Sequence, residues 1–263
     1  MDIIKNGVCF KVLSETRQRW IWSHILNNLW EEDTFRVFDY FVKPDRVYLD
    51  IGAWIGPTVL YCACKAKHVY AVEPDNAAFQ ELVSNLELNS SLMSKVTCVN
   101  AALTDRSSQV CLYTRTEPGD SLSSIIPTVS YDNYTEVRGI TISDFVTEYD
   151  VKDIGFIKID IEGGEYSLIP SMRDYLFSFR PTLYVSFHSF RLREEIKFKN
   201  SKNDNSEGEN SIDDQVSVLT RKVFESLDFY NFIYDSNGIL VNREQVLKDY
   251  SEGPFVFTDV CWE

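Results

Sequence analysis

Short apolar runs alternate with helical stretches along most of this chain. Apolar runs of this length fit strands that are buried on both faces, and intervening helices allow such strands to run parallel. The runs are VYLDI at 47–51, HVYAV at 68–72, VTCVNAAL at 96–103, GFIKIDI at 155–161 and TLYVSF at 182–187. The pattern therefore predicts an α/β fold, with helices on both faces of a parallel sheet and right-handed crossovers.

The remaining segments predict what surrounds this sheet. Two helices are expected between 18 and 41, and a hairpin flap or added antiparallel strands between 109 and 141. Two further strands, at 229–235 and 254–262, should complete one edge through a connection with little helix. The polar segment at 199–214, KNSKNDNSEGENSIDD, has almost no apolar side chain to bury. We expect a flexible loop there, with a substrate lid as the alternative.

The charge of the chain limits its partners. Lys and Arg number 26 against 40 Asp and Glu, and the formal net charge of -14 disfavours nucleic acid or an anionic membrane surface as a partner. No run approaches the roughly 20 apolar residues of a membrane span. The start, MDIIKNGVCFKV, lacks a basic segment followed by an apolar core. We expect a soluble, cytoplasmic protein that acts on a small molecule.

The stretch VYLDIGAWIGPTVLYCA, at 47–63, interrupts a buried strand with two glycines. The strand ends near Asp50, and the backbone turns through Gly52 to Gly56. Pro57 then occupies a position that the first turn of a helix tolerates. Because glycine has no Cβ, it permits a sharp turn and close approach of a ligand to the backbone. This strand, turn and helix therefore predict the floor of a binding site.

A second acidic residue, Glu73, ends the next strand. It follows Asp50 at close to the ~20-residue spacing at which a carboxylate meets a ribose in nucleotide-binding sheets. The loop reads G-x-x-x-G rather than G-x-G-x-x-G, so the turn that cradles a pyrophosphate lacks one glycine. These features indicate a ribose without a pyrophosphate, as in S-adenosylmethionine, whose amino-acid tail a network around Asp50 could hold. A nicotinamide dinucleotide is the disfavoured alternative.

Five stretches together resemble the FkbM family of S-adenosylmethionine-dependent methyltransferases. They are DIGAWIGPT, AVEPDNAAFQELVSNLELN, VNAALTD, SLSSI at 121–125 and FIKIDIEGGEYSLIPSM, and the resemblance covers roughly residues 30–188. It implies a class I methyltransferase (Rossmann-like) fold with a mostly parallel seven-stranded sheet and an antiparallel last strand. It also implies, in most members, O-methylation of a hydroxyl on a sugar or other small molecule.

The resemblance further implies which residues contact S-adenosylmethionine, the expected cofactor. The glycine turn forms the cofactor loop, Glu73 supplies the ribose carboxylate, and Asn100 matches a position near adenine. Glu31 lies in a segment before the first long strand that can close over the cofactor. The full set of expected cofactor contacts is Glu31, Asp50, Gly52, Ala53, Gly56, Glu73, Pro74, Asn100 and Asp160.

Two polar side chains end strands in the second half of the sheet. Asp160 follows FIKI and His188 follows YVSF, and ligands of open sheets collect at the carboxyl ends of the strands. His188 is predicted as the general base, because a neutral imidazole with a pKa near ~6.5 can take a proton from an alcohol. The alternative is a structural histidine bonded to a neighbouring loop.

The turn KIDIEGGEY concentrates carboxylates beside this histidine. Asp160 and Glu162 are predicted to be catalytic together with His188, and Glu165 follows on the same turn. Three roles stay open: orienting the histidine or the acceptor, contacting the cofactor, or binding a divalent cation through oxygen. Capping of the next helix is a further alternative for Glu162 and Glu165. No metal is predicted, since no second carboxylate cluster with ligand spacing occurs.

The predicted function is methyl transfer from S-adenosylmethionine to a hydroxyl of a small-molecule or glycan acceptor. The alternatives are a chain that binds the cofactor without turnover and, less favoured, a nicotinamide-dependent oxidoreductase.

The length of the chain does not require two domains. With 263 residues, 44% of them hydrophobic, it can bury one large core, and we expect a single domain over 1–263. Its expected parts are an N-terminal helical cap at 1–45, a cofactor-binding core at 46–190, the loop at 199–214 and a C-terminal sheet edge at 215–263.

Overall fold

The computed structural model describes residues 1–127, 132–202, 209–248 and 253–262. The strands are β1 (Asp2–Lys5), β2 (Val8–Lys11), β3 (Val47–Ile51), β4 (His68–Val72), β5 (Val96–Val99), β6 (Ala102–Leu103), β7 (Ser108–Tyr113), β8 (Tyr134–Ile140), β9 (Ile154–Ile159), β10 (Thr182–Phe187), β11 (Phe232–Asp235) and β12 (Gly253–Thr258). The helices are α1 (Arg19–Leu26), α2 (Glu32–Phe41), α3 (Pro57–Ala63), α4 (Asn76–Glu87), α5 (Ser90–Met93), α6 (Ile142–Glu148), α7 (Glu165–Ser171), α8 (Arg173–Phe179), α9 (Ser189–Lys202), α10 (Glu209–Ser226) and α11 (Arg243–Lys248). Within the described ranges, no helix combines the length and the apolar character that crossing a membrane requires.

Seven strands form the central sheet, in the order β11, β12, β10, β9, β3, β4, β5. The run from β10 to β5 is parallel, whereas β12 pairs antiparallel with both β10 and β11. This sheet confirms the predicted mostly parallel, seven-stranded arrangement with an antiparallel last strand. The expected strands at 229–235 and 254–262 are present as β11 and β12.

The two faces of the sheet bury different side chains, because successive residues of a strand point to opposite faces. On one face, three aromatic rings of the sheet surround Phe38 of α2, with ring centroids between 5.7 and 6.0 Å from it. They belong to Tyr48, Phe156 and Tyr184. On the other face, α7 and α10 pack in a second apolar cluster. With both faces covered, the carboxyl ends of the strands provide the space for ligands.

The chain begins with a hairpin that the sequence interpretation missed. β1 and β2 pair antiparallel around Asn6 and Gly7, whose φ angles of 47° and 78° suit the mirror-image turns of two-residue hairpins. The two helices expected between 18 and 41 follow as α1 and α2. The segment at 1–45, expected as a helical cap, therefore contains a hairpin before its two helices, because an Asn-Gly pair favours a tight turn between strands.

The run at 96–103 divides between two sheets. β5 belongs to the central sheet, whereas β6 joins a three-stranded sheet with β7 and β8. The antiparallel pairing of β7 with β8 confirms the flap expected between 109 and 141. The connection between the last two strands contains α11, although the sequence pattern favours little helix there.

The polar segment at 199–214 is helical at both of its described ends. α9 continues to Lys202 and α10 begins at Glu209, and residues 203–208 lie outside the described residues. The expectation of a loop is therefore wrong at 199–202 and 209–214. The reason is that α10 buries Val216, Val223 and Phe224 further along its length, so packing in the core stabilises the helix beyond its polar first turns.

The turn after β3 brings Gly52 against the end of β9. A Cβ on Gly52, which has φ +86°, would lie 1.9 Å from the carbonyl oxygen of Asp160, whereas a Cβ on Gly7, at φ +78°, meets no atom within 4 Å. Gly52→Ala should therefore lower the free energy of unfolding by about 4 kcal/mol, and Gly7→Ala by only about 1 kcal/mol. Urea unfolding followed by circular dichroism measures both. Equal losses in the two variants would contradict the importance of this close approach.

Candidate active site

Two cavities meet at the carboxyl ends of the central strands. The first cavity is bordered by Glu73 and Leu103, and the second cavity by Lys158 and His188. Five residues line both: Gly52, Trp54, Ser121, Asp160 and Glu162. A ligand in the first cavity can therefore present one end to a ligand in the second.

The glycine turn is held against the neighbouring strand. The N–H groups of Gly52 and Ala53 donate to the carbonyl of Val72, at 3.0 and 3.1 Å. Gly52 lines both cavities and Ala53 lines the second. Gly56 lines neither: it precedes α3 with φ +97°, and a Cβ there would lie 2.6 Å from the side chain of Leu82. Gly56 is thus needed for packing against α4.

Asp50 lies beneath the cavities and lines neither of them. Its carboxylate is fully buried, and Oδ2 accepts hydrogen bonds from Tyr48 Oη at 2.8 Å and Thr58 Oγ1 at 2.5 Å. Oδ1 lies 3.6 Å from Lys158 Nζ. Burial raises the pKa of Asp50, although Lys158 and the two hydroxyl donors oppose this. Asp50 therefore acts on the site through Lys158.

The ammonium of Lys158 connects the buried carboxylate of Asp50 with the second cavity. It lies 3.3 Å from Asp160 Oδ2 and 3.5 Å from the carbonyl of Gly52, to which it donates. Burial lowers the pKa of Lys158, but Asp160 and Asp50 outweigh it, so the pKa is raised overall. Burial raises the pKa of Asp160, but Lys158 and His188 outweigh it, so that pKa is lowered. Lys158 and Asp160 are therefore charged at neutral pH.

Glu73 ends β4 and faces the first cavity. Its Oε2 accepts from the backbone N–H of Trp54 at 2.8 Å, and its Oε1 from that of Asp75 at 2.7 Å. Burial raises the pKa of Glu73 to about 7, while these two backbone hydrogen bonds oppose the rise. Each carboxylate oxygen can accept a further hydrogen bond, so Glu73 can bind a ligand that carries two neighbouring hydroxyls.

Pro74 lines the first cavity, but Asn100 does not. The side-chain amide of Asn100 donates to the carbonyls of Glu73, at 2.8 Å, and Pro74, at 3.3 Å. It borders a neighbouring groove, while residues 101–103 line the cavity itself. Asn100 therefore fixes the backbone that positions Glu73.

Trp54 lines both cavities, and the sequence interpretation missed it. Its indole Nε1 donates to the carbonyl of Gly119 at 3.0 Å, and the N–H of Gly119 donates to Asp75 Oδ2 at 2.8 Å. Trp54 also has φ +48°, which non-glycine residues rarely adopt. The available signal is a large aromatic residue between the two glycines of a binding turn.

Glu31 lines the second cavity, apart from Glu73. It precedes α2 in a left-handed conformation, with φ 43°, and its Oε2 accepts from Thr34 Oγ1 at 3.0 Å. Burial and the charge of Asp160 raise the pKa of Glu31 to about 7. Glu31 would therefore face the end of a ligand that lies farther from Glu73.

His188 is oriented by the buried carboxylate of Glu165. Nδ1 lies 3.0 Å from Glu165 Oε1, and Nε2 lies 3.7 Å from Asp160 Oδ1 and 3.6 Å from Glu162 Oε1. Burial lowers the pKa of His188, but the hydrogen bond to Glu165 and the three carboxylate charges raise it to about 9. These carboxylate charges therefore keep the imidazole of His188 protonated at neutral pH.

Glu165 also completes the turn before α7. Its two oxygens accept from the N–H groups of Ile161 and Gly163, both at 2.9 Å. Glu165 is thus the first residue of α7 and stabilises the turn before the helix, in addition to its contact with His188, while α7 has no side-chain capping hydrogen bond. Glu162 instead accepts from Arg191 Nε at 2.8 Å. The sequence interpretation did not select Arg191, because only the fold places α9 beside this turn.

Residues 50–228, more than half of the chain, match the family model of the methyltransferase FkbM domain. The chain belongs to the FkbM methyltransferase family. The matched range contains Glu73 and His188, whereas Trp20, Trp30, Glu31 and Pro254 of the second cavity lie outside it.

Individual relatives are distant. Hexuronic acid methyltransferase AglP from Haloferax volcanii is 25% identical over 148 residues, which are 56% of this chain and 59% of the relative. Methyltransferase FkbM from Methylobacillus flagellatus KT matches with a TM-score of 0.45 and 19% identity, over 68% of this chain and 45% of that chain. An rRNA methylase from Streptococcus thermophilus matches with a TM-score of 0.40 and 8% identity, over 85% of this chain and 90% of that chain. The chain thus spans little more than half the length of the curated relative.

The ion pair at Lys158 should contribute to stability far more than an exposed pair. Lys158→Met leaves the carboxylates of Asp50 and Asp160 without their shared cation, and should lower the free energy of unfolding by about 3 kcal/mol. Lys152→Met removes an exposed ion pair with Asp150, at 2.9 Å, and should change the free energy of unfolding by less than about 1 kcal/mol. Denaturant unfolding compares the two. A Lys158→Met variant as stable as Lys152→Met would show that the buried pair is not needed.

Proposed function

We propose that the protein transfers the methyl group of S-adenosylmethionine to an oxygen atom of a glycan or other small-molecule acceptor. The observation that carries the proposal is the meeting of two cavities across Gly52 and Asp160, one at Glu73 and the other at His188. Such an arrangement suits group transfer, because it lets a cofactor and an acceptor meet in line while the surrounding side chains exclude water.

The lining of the first cavity suits an adenosyl group. The carboxylate of Glu73, fixed by two backbone N–H groups, suits the two hydroxyls of a ribose. Ala101, Leu103 and Ile125 provide apolar walls that suit a purine ring. Asp160, on the wall shared with the second cavity, would face the amino-acid end of the cofactor. When bound, S-adenosylmethionine supplies a methyl group that its sulfonium makes electrophilic.

The second cavity would hold the acceptor. Trp20, Trp30 and Phe190 line it together with carboxylates, and apolar rings with a few convergent polar groups are typical of small-ligand sites. A sugar fits this lining, because its C–H faces can pack on rings while its hydroxyls bond to carboxylates. The relative named for action on a hexuronic acid also favours a glycan acceptor.

We assign to His188 the role of taking the proton from the acceptor hydroxyl. As the acceptor oxygen bonds to the methyl carbon, the carbon–sulfur bond breaks, its electron pair stays on sulfur, and the hydroxyl proton passes to Nε2. Glu165 occupies Nδ1, so Nε2 is the available nitrogen. This role needs a neutral imidazole. Since the neighbouring carboxylates favour the imidazolium, His188 must lose its proton when the site is assembled.

Calorimetric titration with S-adenosylmethionine, S-adenosylhomocysteine and NAD in parallel tests the proposal. We expect binding of the two adenosyl ligands alone. Binding of NAD alone would indicate the oxidoreductase alternative. Release of S-adenosylhomocysteine is then measured with neutral and hexuronic-acid glycosides as acceptors. Cofactor binding without release from any acceptor would indicate the alternative that lacks turnover.

The affinity for S-adenosylhomocysteine should depend on pH through Glu73. An ionised carboxylate accepts from ribose hydroxyls more strongly than a protonated one, and burial raises the pKa of Glu73 to about 7. Affinity should therefore fall about tenfold between pH 8 and pH 6. Glu73→Gln should bind about 30-fold more weakly at pH 8 and lose most of this dependence. Calorimetry across this pH range measures both effects.

Glu87→Gln, at the exposed end of α4, provides the matched control and should follow the wild-type curve. If Glu73→Gln kept the wild-type pH dependence, Glu73 would not be the ribose carboxylate.

His188→Gln should lower kcat by about 10²- to 10⁴-fold, because the acceptor proton loses its partner. The Kd for S-adenosylhomocysteine should stay unchanged, since His188 does not line the first cavity. His68→Gln makes the same change at the start of β4, where the ring contacts Thr97 Oγ1 at 2.9 Å, and should retain full turnover. Rates of S-adenosylhomocysteine release test both variants. Wild-type turnover in His188→Gln would remove His188 from the reaction.

A further inference from the structure

Three potential ligand atoms converge where the two cavities join. Asp160 Oδ1, Glu162 Oε1 and His188 Nε2 all lie within 4.8 Å of one another. The histidine nitrogen is 3.7 and 3.6 Å from the two carboxylate oxygens, which is beyond normal hydrogen-bond length. Two ligands of one ion, each bonded at about 2.1–2.3 Å, lie about 3.0–3.8 Å apart in octahedral or tetrahedral geometry. The two separations from the histidine nitrogen fall in that range.

The other polar atoms of these three side chains already have partners. His188 Nδ1 is bonded to Glu165, and this buried carboxylate is itself fixed by two backbone N–H groups. Such a carboxylate behind a histidine is the usual way in which proteins orient the opposite nitrogen toward a metal. Asp160 Oδ2 is paired with Lys158, and Glu162 Oε2 with Arg191. One atom of each side chain is therefore directed at a common point.

The charges around this point are unbalanced. When His188 is neutral, as a metal ligand must be, the five carboxylates of Asp50, Asp160, Glu162, Glu165 and Glu194 are matched by three basic side chains, Lys158, Arg115 and Arg191. Without a cation, the proton that the carboxylates favour on His188 supplies part of this charge. A divalent cation would supply the missing positive charge at the place where the unpaired oxygens meet.

We propose that Asp160, Glu162 and His188 bind one divalent cation, which holds the acceptor oxygen in the second cavity; this rests on the proposed methyl transfer. One imidazole and two carboxylates suit Mn²⁺ or a similar transition ion better than Ca²⁺. Three protein ligands leave coordination positions open for the acceptor. The ion favours loss of the acceptor proton to water before the oxygen attacks the methyl carbon and the carbon–sulfur bond breaks. With the ion bound, His188 serves as its ligand in place of the base role assigned above, because its coordinated Nε2 takes no proton.

Titration of the metal-free protein with Mn²⁺ alone tests this site. After treatment with EDTA and dialysis, loss of the free-ion paramagnetic resonance signal and calorimetry report binding without cofactor or acceptor. We expect saturable binding at one site, weakened at least tenfold in both Glu162→Gln and Asp160→Asn. Glu194→Gln, which changes a carboxylate beside Arg191 but outside the three ligands, should bind as the wild type does. Thermal unfolding confirms that each variant is folded.

Each outcome decides the proposal. Saturable binding of Zn²⁺ or Mg²⁺ instead, lost in the same two variants, supports the site with another ion. No saturable binding, or equal binding in wild type and both variants, overturns it. Titration with S-adenosylhomocysteine on the same metal-free sample separates this result from the proposed function. Cofactor binding without metal binding removes only the cation, whereas absence of cofactor binding contradicts the methyl transfer itself.

Discussion

The ammonium of Lys158, placed between Asp50 and Asp160, joins the central sheet to the site. Asp50 and Lys158 are direct partners in the register of β3 and β9, so their ion pair forms only when these two strands align correctly. A slip of one residue would move Lys158 to the opposite face of the sheet, into the apolar cluster there. Because an unpaired buried charge is strongly destabilising, the ion pair favours one register. That register fixes the positions of the residues at the carboxyl ends of β3 and β9, where we propose that ligands bind.

The same alignment brings the glycine turn against the end of β9. The carbonyl of Asp160 occupies the space that a side chain at position 52 would need, so the two loops form one continuous wall. This wall belongs to both cavities. The position at which a cofactor would meet an acceptor therefore follows from the register of the two central strands.

The sheet could be predicted because its strands are buried on both faces and appear as uninterrupted apolar runs. The N-terminal hairpin carries a readable signal as well, an Asn-Gly pair between alternating residues, which the helical pattern after it obscured. The helical part of the segment at 209–214 had no such signal, since its polar residues are held in α10 by apolar residues much further along. Packing at a distance decides structure there, and local composition does not report it.

In the site, residues at strand ends could be predicted, because parallel strands bring their carboxyl ends together. Asp160 and His188 meet in this way. The roles of single residues were harder to predict, since they depend on contacts between distant elements. Glu165 reaches His188 only because α7 follows β9 beside β10. Likewise Gly56 packs against Leu82 and Asn100 donates to the carbonyl of Glu73, so both stabilise the loops behind the cavities instead of lining them. These contacts join elements that are distant in the sequence.

Backbone strain gives an independent reason to place the proposed reaction beside the wall that the two cavities share. Glu31, Trp54 and Glu162 border the second cavity with positive φ, at 43°, 48° and 53°, and Trp54 and Glu162 also border the first. Each such conformation costs about 1–3 kcal/mol in a residue other than glycine. The protein tolerates this because the buried ion pair and both apolar clusters hold the surrounding loops. Three strained residues around one cavity indicate that side-chain placement there matters more than local stability, as expected where reacting groups must be aligned.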